Sequence, residues 1–311
     1  MNLTLLIGIT LLIGLLLGLL GGGGSILMVP VLVYLVGLEP KTAIATALVV
    51  VGLTSLVAVI GHARAGRVCW KNGCAFGSAG MLGAYGGGRL AAYVPGRILL
   101  LMFALIMLGT ALTMLLGHRD RSTPVPGHIC PTRLNWPAVL FDGLLVGAIN
   151  GLLGVGGGFV IVPALNILGG LPIHAAIGTS LLIIAMNSMA ALAGYASHVS
   201  IDFKLAGIVT GAAILGSVFG SLLSRRIGSQ ILRRGFGVFV ISVAGYLLYR
   251  ELSWNALAEV QRLLQEHEEF FRGMLTAVAI MALYWFRGMI HHRQDWQPGR
   301  YALRTAHGGD R

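Results

Sequence analysis

The residues able to do chemistry in this 311-residue chain are mostly backbone donors rather than acids, bases or nucleophiles. Gly21, Gly23 and Gly24, followed by Ser25, stand in the stretch GLLGGGGSILMVP, which closes at Pro30. Gly154, Gly156, Gly157 and Gly158 stand in GLLGVGGGFVIVP, which closes at Pro163. A glycine run is a poor helix interior, costing about 0.8 to 1.0 kcal/mol per glycine relative to alanine, so it is a good place for a helix to stop and restart. The restarted helix presents free N–H groups and the positive end of its dipole, an arrangement suited to an anion. Neutral side chains close by can add to it: Thr46, Ser55, Asn150, Thr179, Asn187 and Ser188. Together these residues are the predicted substrate-binding set. Asp142, six positions after Trp136, is the sole acid expected inside a core span and a candidate proton carrier. No lysine or arginine falls well inside a span, so an anion there would be held by uncharged donors.

The two stretches are copies of one another. Pro30 and Pro163 are 133 positions apart, and at that offset Thr46 falls on Thr179, Ser55 on Ser188, Gly83 on Gly216 and Gly87 on Gly220. One ancestral half has been used twice, and each half carries a glycine break within an apolar region. In lipid, freed backbone groups must be satisfied by protein, enclosed water or a ligand. Two breaks in corresponding positions therefore predict paired broken helices at mid-membrane, around a transport site. Plainer roles compete: glycines let helices pack closely, and Ser and Thr bond their own or a neighbouring helix.

Composition fixes the class. Hydrophobic residues make up 56% and charged residues 11%, against about 25% charged in a soluble domain, which predicts an all-α polytopic membrane protein. The net charge of +11 does not indicate nucleic acid, because the basic residues are scattered over short loops between apolar spans. The start, Met1-Asn2-Leu3-Thr4, has no basic region and no cleavage site before the glycines, so it reads as a retained helix. Cys69, Cys74 and Cys130 give neither a zinc spacing nor an even disulfide set, and are expected as unpaired thiols. Nothing asks for a metal or a cofactor.

Along the chain, 1–116 reads as a first transmembrane repeat, 117–135 as a polar, proline-rich linker and 136–250 as a second repeat. Residues 251–311 read as an amphipathic helix, an extra span and a basic tail. With five crossings per half, counting a short helix after each break, the loops of one side hold ten Lys and Arg, among them Arg64, Arg67, Lys71 and Arg119. The opposite loops hold four: Lys41, Arg89, Arg97 and Lys204. That contrast predicts two inverted repeats with a cytoplasmic linker and the N-terminus outside. His62, His174 and His198 are expected at solvated loop edges.

The duplicated glycine stretch closing on Val-Pro, with AIATA (residues 43–47) and AIGTS (176–180) after it, resembles the sulfite exporter TauE/SafE family of membrane transporters, over residues 3 to about 250. The resemblance implies a multi-pass transporter of the bacterial inner membrane that moves small anions, often sulfur-containing ones such as sulfite, sulfonates or sulfoacetate. The chain departs from its own symmetry at Gly22 and Val155, and at Ser25 and Gly158, so the two breaks need not be equivalent. The expected partners are a small-molecule anion and the lipid bilayer; a homo-oligomer is compatible with the sequence. Transport by rocking one half against the other is the favoured mechanism, and a passive anion channel is the alternative. An intramembrane hydrolase built on Ser25 is disfavoured, because a base at compatible depth is lacking and the second repeat has Gly158 in that place.

Overall fold

A computed structural model of the chain describes residues 3–20, 23–116, 130, 136–154, 157–158, 161–162, 165, 171, 173–223 and 229–251. The chain divides into two compact units, Met1–Ala256 and Leu257–Arg311, and the described residues belong to the first. The amphipathic helix and extra span expected at 251–311 lie outside them beyond Glu251, as does the linker apart from Cys130.

Every regular element among the described residues is helical. In chain order they are α1 (Leu3–Leu20), α2, α3 (Pro40–Arg64), α4 (Trp70–Leu90), α5 (Gly96–Leu116), α6 (Trp136–Leu153), α7 (Ile173–Tyr195), α8 (Phe203–Leu223) and α9 (Ser229–Glu251). The short α2 is one irregular run: 3-10 turns over Gly23–Leu27, an α turn over Met28–Pro30 and a π-helical stretch over Val31–Val36. Pro30 removes an N–H donor in its middle, and Gly37, left-handed at φ 81°, ends it. Pro40–Arg64, Ala175–Tyr195 and Phe203–Leu223 are long and apolar enough to cross a membrane. Thr4–Leu19, Gly24–Val36, Gly96–Gly109, Val139–Leu153 and Val240–Arg250 are shorter apolar helices. Leu12, Leu56, Leu82, Leu105, Leu215 and Phe219 are exposed, as suits a surface wetted by lipid rather than water.

The offset seen in the sequence governs the helices as well. The starts of α1 and α6, α3 and α7, α4 and α8, and α5 and α9 are each 133 positions apart. The small hydrogen-bonded closures agree: the Leu38 N–H donates to the Leu32 carbonyl, and the Leu171 N–H to the Leu165 carbonyl, both at 3.1 Å.

Packing exchanges helices between the halves. A side chain on Gly14 or Gly18 of α1 would overlap the backbone of Ala213 or Ser217 in α8, and one on Gly216 or Gly220 would overlap Leu11 or Leu15. The counterpart pair repeats the pattern, with Gly147 and Gly151 of α6 on Gly80 and Ala84 of α4, and Gly83 and Gly87 on Leu144 and Ala148. Glycine is needed at these eight positions because the backbones themselves touch, the close approach that lets helices associate where apolar burial cannot drive it. The contacts advance in register, so α1 runs parallel to α8 and α4 parallel to α6. Meanwhile Gly52 of α3 meets Ser188 of α7, and Gly178 meets His62, so α3 and α7 run antiparallel.

These directions say what α2 must do. Because α8 follows α7 through a short turn, α8 runs parallel to α3, and so does α1. The chain therefore has to come back between Leu20 and Pro40. Gly24 accomplishes the reversal: it lies on the backbone of Leu17 and Ile13, where a side chain would not fit.

Two expectations are corrected. Cys69 and Cys130 are not unpaired; they form a disulfide with Cα atoms 5.6 Å apart, because the chain brings position 130 to the start of α4, and Cys74 alone is a free, exposed thiol. His62 is not solvated either. It sits in the last turn of α3, buried against α7 at 4% exposure, since the helix runs one turn beyond where the apolar pattern fades.

Candidate functional site

The antiparallel crossing of α3 and α7 concentrates buried polar groups at one depth. Gly52, which meets Ser188, is the middle residue of α3, and Gly80, which meets Asn187, is the middle residue of α4. At this level the hydroxyls of Thr54, Ser55 and Ser188 and both amide atoms of Asn187 are buried without a hydrogen-bond partner. They are two counterpart pairs: Thr54 and Asn187 are 133 positions apart, as are Ser55 and Ser188. Thr210, three residues from the middle of α8, adds a fourth buried hydroxyl without a partner. Leaving such a group unpaired costs about 1 to 3 kcal/mol each. A helix spends its backbone groups internally, so side chains like these are what remains to bind a solute at depth.

Gly80 shapes this belt. A Cβ on it would come 2.5 Å from Oδ1 and 2.8 Å from Nδ2 of Asn187, so the bare glycine is what lets the amide lie between α4 and α7. Asn150 extends the polar lining along α6; both its amide atoms are buried and unpaired, and its Cγ would be 3.2 Å from a Cβ on Gly157.

The second break begins beside Asn150. Gly154 takes φ 66° and its N–H donates to the Asn150 carbonyl at 2.8 Å, the left-handed cap that ends α6. Gly157 is also left-handed, at φ 64°, and the Ile161 N–H donates to its carbonyl at 2.8 Å, so helical bonding resumes there. Gly154 packs on Ile44, eight residues from Gly52, or about 12 Å along α3 at the usual rise per residue. The second break therefore stands well away from the middle of the helices; the side chains, not the glycines, occupy that level. At the first break Gly24 and Ser25 are fully enclosed. Gly21 and Gly156 lie outside the described residues, and Gly23 and Gly158 are helical.

One further member of the predicted set has structural employment. The Thr179 hydroxyl accepts from the Cys69 N–H at 2.9 Å, tying α7 to the start of α4. Its counterpart Thr46 is buried in α3. Asp142 is half-buried in α6, next to Gly143, which packs on Phe76 four residues from the middle of α4, or about 6 Å in depth. That places it near the middle level of the bundle rather than at a helix end. Thr54, Thr210 and Tyr195 were not in the predicted set. Tyr195 is fully buried and its hydroxyl donates to the Leu152 carbonyl at 2.8 Å, satisfying one of the acceptors that the end of α6 leaves free. Thr54 was findable, as the repeat partner of Asn187. Among the described residues no cluster of His, Cys, Asp and Glu could hold a metal ion.

A helical bundle of duplicated halves with uncharged donors in its middle is the form of a solute carrier, and comparison with known proteins agrees. The chain matches the family "Sulfite exporter TauE/SafE" over residues 6–247. The chain belongs to this family. It is 38% identical over 249 residues to a "probable membrane transporter protein" of Xylella fastidiosa, covering 79% of this chain and 94% of that one. A "probable membrane transporter protein" of Methanocaldococcus jannaschii is 27% identical, with 74% and 90% covered, and one of Bacillus subtilis 25% identical, with 78% and 99% covered. No solved structure matches. The TauE/SafE match runs from within α1 to within α9, taking in every helix described between them, and stops at 247, before the acidic stretch that follows Arg250. It makes this chain a multi-pass membrane transporter.

Proposed function

We propose that this TauE/SafE protein carries a small sulfur-containing anion, a sulfur oxyanion or sulfonate, across the bacterial inner membrane by alternating access. The observation that carries the reading is the belt of Thr54, Ser55, Asn187 and Ser188: buried, unpaired, uncharged and centred where α3 crosses α7. Three hydroxyls and an amide offer up to five N–H and O–H donors, enough for the several oxygens of a sulfite, thiosulfate or sulfonate group. Being neutral, they bind an anion without holding it, and a carrier must release its cargo.

We read the two halves as inverted repeats. The antiparallel course of α3 and its counterpart α7, and the return that α2 must make, support that reading. Because α1 grips α8 and α6 grips α4 backbone to backbone, the bodies that rock are these mixed pairs rather than the sequence halves. The crossing of α3 and α7 is then the surface that moves. Asp142, at its depth, is the proposed proton site, and D142N is expected to leave substrate-driven exchange intact while abolishing uptake driven by a pH gradient.

The test is flux in proteoliposomes. Sulfite, thiosulfate and sulfoacetate are offered beside an acetate control, and rates are measured against concentration for the parent and for N187A. The proposal expects saturation with a sulfur anion and a KM raised about 2- to 10-fold in N187A, the loss of one hydrogen bond. Flux linear in concentration, equal for acetate and untouched by N187A, overturns it.

A further inference from the structure

At one end of the bundle, away from the belt, three connections bring cations together. Lys41 starts α3 and its Nζ donates to the Ala92 carbonyl at 2.8 Å, in the turn between α4 and α5. Arg89, in the last turn of α4, reaches the Ser197 hydroxyl at 3.4 Å, just past the end of α7. His198 is next: its Nδ1 is 3.3 Å from that same hydroxyl, its Nε2 is buried without a partner, and its ring lies 5.2 Å from the ring of Tyr195. Among the described residues, Lys41 bonds a carbonyl and Arg89 a hydroxyl, and neither bonds a carboxylate. The acids near this end are otherwise placed. Asp202 accepts the Lys204 and Leu205 N–H groups as the cap of α8, and Glu39 is exposed at the start of α3. Arg97, half-buried at the start of α5, adds a further positive charge.

The cluster also stands directly over the second break. Tyr195, against which His198 rests, bonds Leu152, and Leu152 is two residues from the left-handed Gly154. Gly154 in turn packs on Ile44, three residues from Lys41. One short chain of contacts therefore leads from the cations at the surface to the break and to Asn150, one turn deeper in α6.

We propose that Lys41, Arg89 and His198 form a capture site for small oxyanions at this mouth, from which the anion passes along the second break to the neutral belt. This rests on the anion-carrier reading given above. The separation of tasks is physical. Cations at the rim concentrate the anion and speed its arrival, by tenfold or more where the field is focused, while uncharged groups at depth keep it from being trapped. The other mouth does not repeat this particular cluster, because the counterparts of Lys41, Arg89 and Tyr195 at the offset are His174, Leu222 and His62; its many loop cations stand at other positions. The cluster makes the two sides of the carrier unequal.

Two measurements test it separately from the carrier reading. In purified protein, ¹⁵N-histidine spectra identify His198 by its absence in H198Q, and its titration is followed with sulfate or with chloride at matched ionic strength. The proposal expects sulfate to raise the midpoint in the parent protein beyond the chloride control, and to lose that excess in R89Q and in K41Q. No difference between sulfate and chloride overturns it, as does an excess retained in both variants. In proteoliposomes at low salt, R89Q is expected to raise KM for flux entering from this face about tenfold or more and leave the maximal rate alone. K204Q on the same face should do neither, and a K204Q effect equal to that of R89Q overturns the assignment to this cluster. A sulfate response at His198 in a protein without saturable flux would keep the capture site and remove the carrier reading.

Discussion

Gly80 and Asn187 touch across the interface of α4 and α7 so closely that a Cβ on the glycine would come 2.5 Å from the amide oxygen. The two residues belong to different halves, and the contact lies at the middle of α4. A side chain at position 80 must therefore move the amide that we place at the centre of the site. G80A is expected to lower kcat/KM about 2- to 10-fold through the lost hydrogen bond. G86A, on the same helix with nothing within 4 Å of its Cβ, should transport normally. Equal rates in G80A and parent would remove Asn187 from the site.

The glycine seams carry a second prediction, about stability. G14L and G147L each drive a side chain into a facing backbone that has no room to yield, whereas G245L enters open space. Overpacking costs about 1 to 3 kcal/mol and sometimes more. Thermal unfolding in detergent should show both seam variants well below the parent and G245L close to it. Because the seams are repeat partners, the two losses should be of similar size.

The disulfide makes a third. Positive-inside reasoning puts the linker face in the cytoplasm, where thiols are kept reduced. Cys69 and Cys130 are then expected as a dithiol in cells, held ready to close by their placement. Acid-quenched cells treated with a maleimide of high mass should show three labelled cysteines, and oxidised purified protein only Cys74. A single labelled cysteine in quenched cells would move the linker to the outer face.

Histidine 198 sets a pH dependence. Burial, and then the charges of Lys41 and Arg89, hold its imidazole below the usual histidine value. Its neutral form is thus favoured in the folded protein. Little stability depends on it above the unfolded value near 6.5; some is lost as pH falls through that value towards the lower folded one. H198Q should show less loss of stability than the parent over that acid range. Identical pH profiles for the two proteins would contradict the stated environment of the ring.

Much of this was legible in the residues. The offset of 133 paired the residues of the two halves, the apolar runs marked the spans, and the glycine stretch with its Val-Pro closure pointed to the family. Depth was not legible. A repeat shows which residues correspond, yet only the packing of α3 on α7 reveals that Thr54, Ser55, Asn187 and Ser188 share the middle level while Gly154 lies about two turns away. The interleaving of α1 with α8 was equally hidden, because glycines every fourth residue say that a helix packs closely but not on what. Cys130 could not be paired from spacing, since a separation of 61 residues does not say that position 130 lies beside the start of α4. His62 was misjudged for a related reason: charge nearby in sequence suggested water, and α7 covers it instead.

The central claim is that the level of Ser188 becomes open to water and is occupied by the anion during transport. Ser188→Cys, in a chain where Cys69, Cys74 and Cys130 are all serine, permits the direct measurement: the rate of reaction with N-ethylmaleimide in membranes, with and without saturating sulfoacetate. The account predicts that the cysteine reacts and that sulfoacetate slows it severalfold while acetate does not. A cysteine that stays unreactive, or reacts at one rate whatever anion is present, would contradict it.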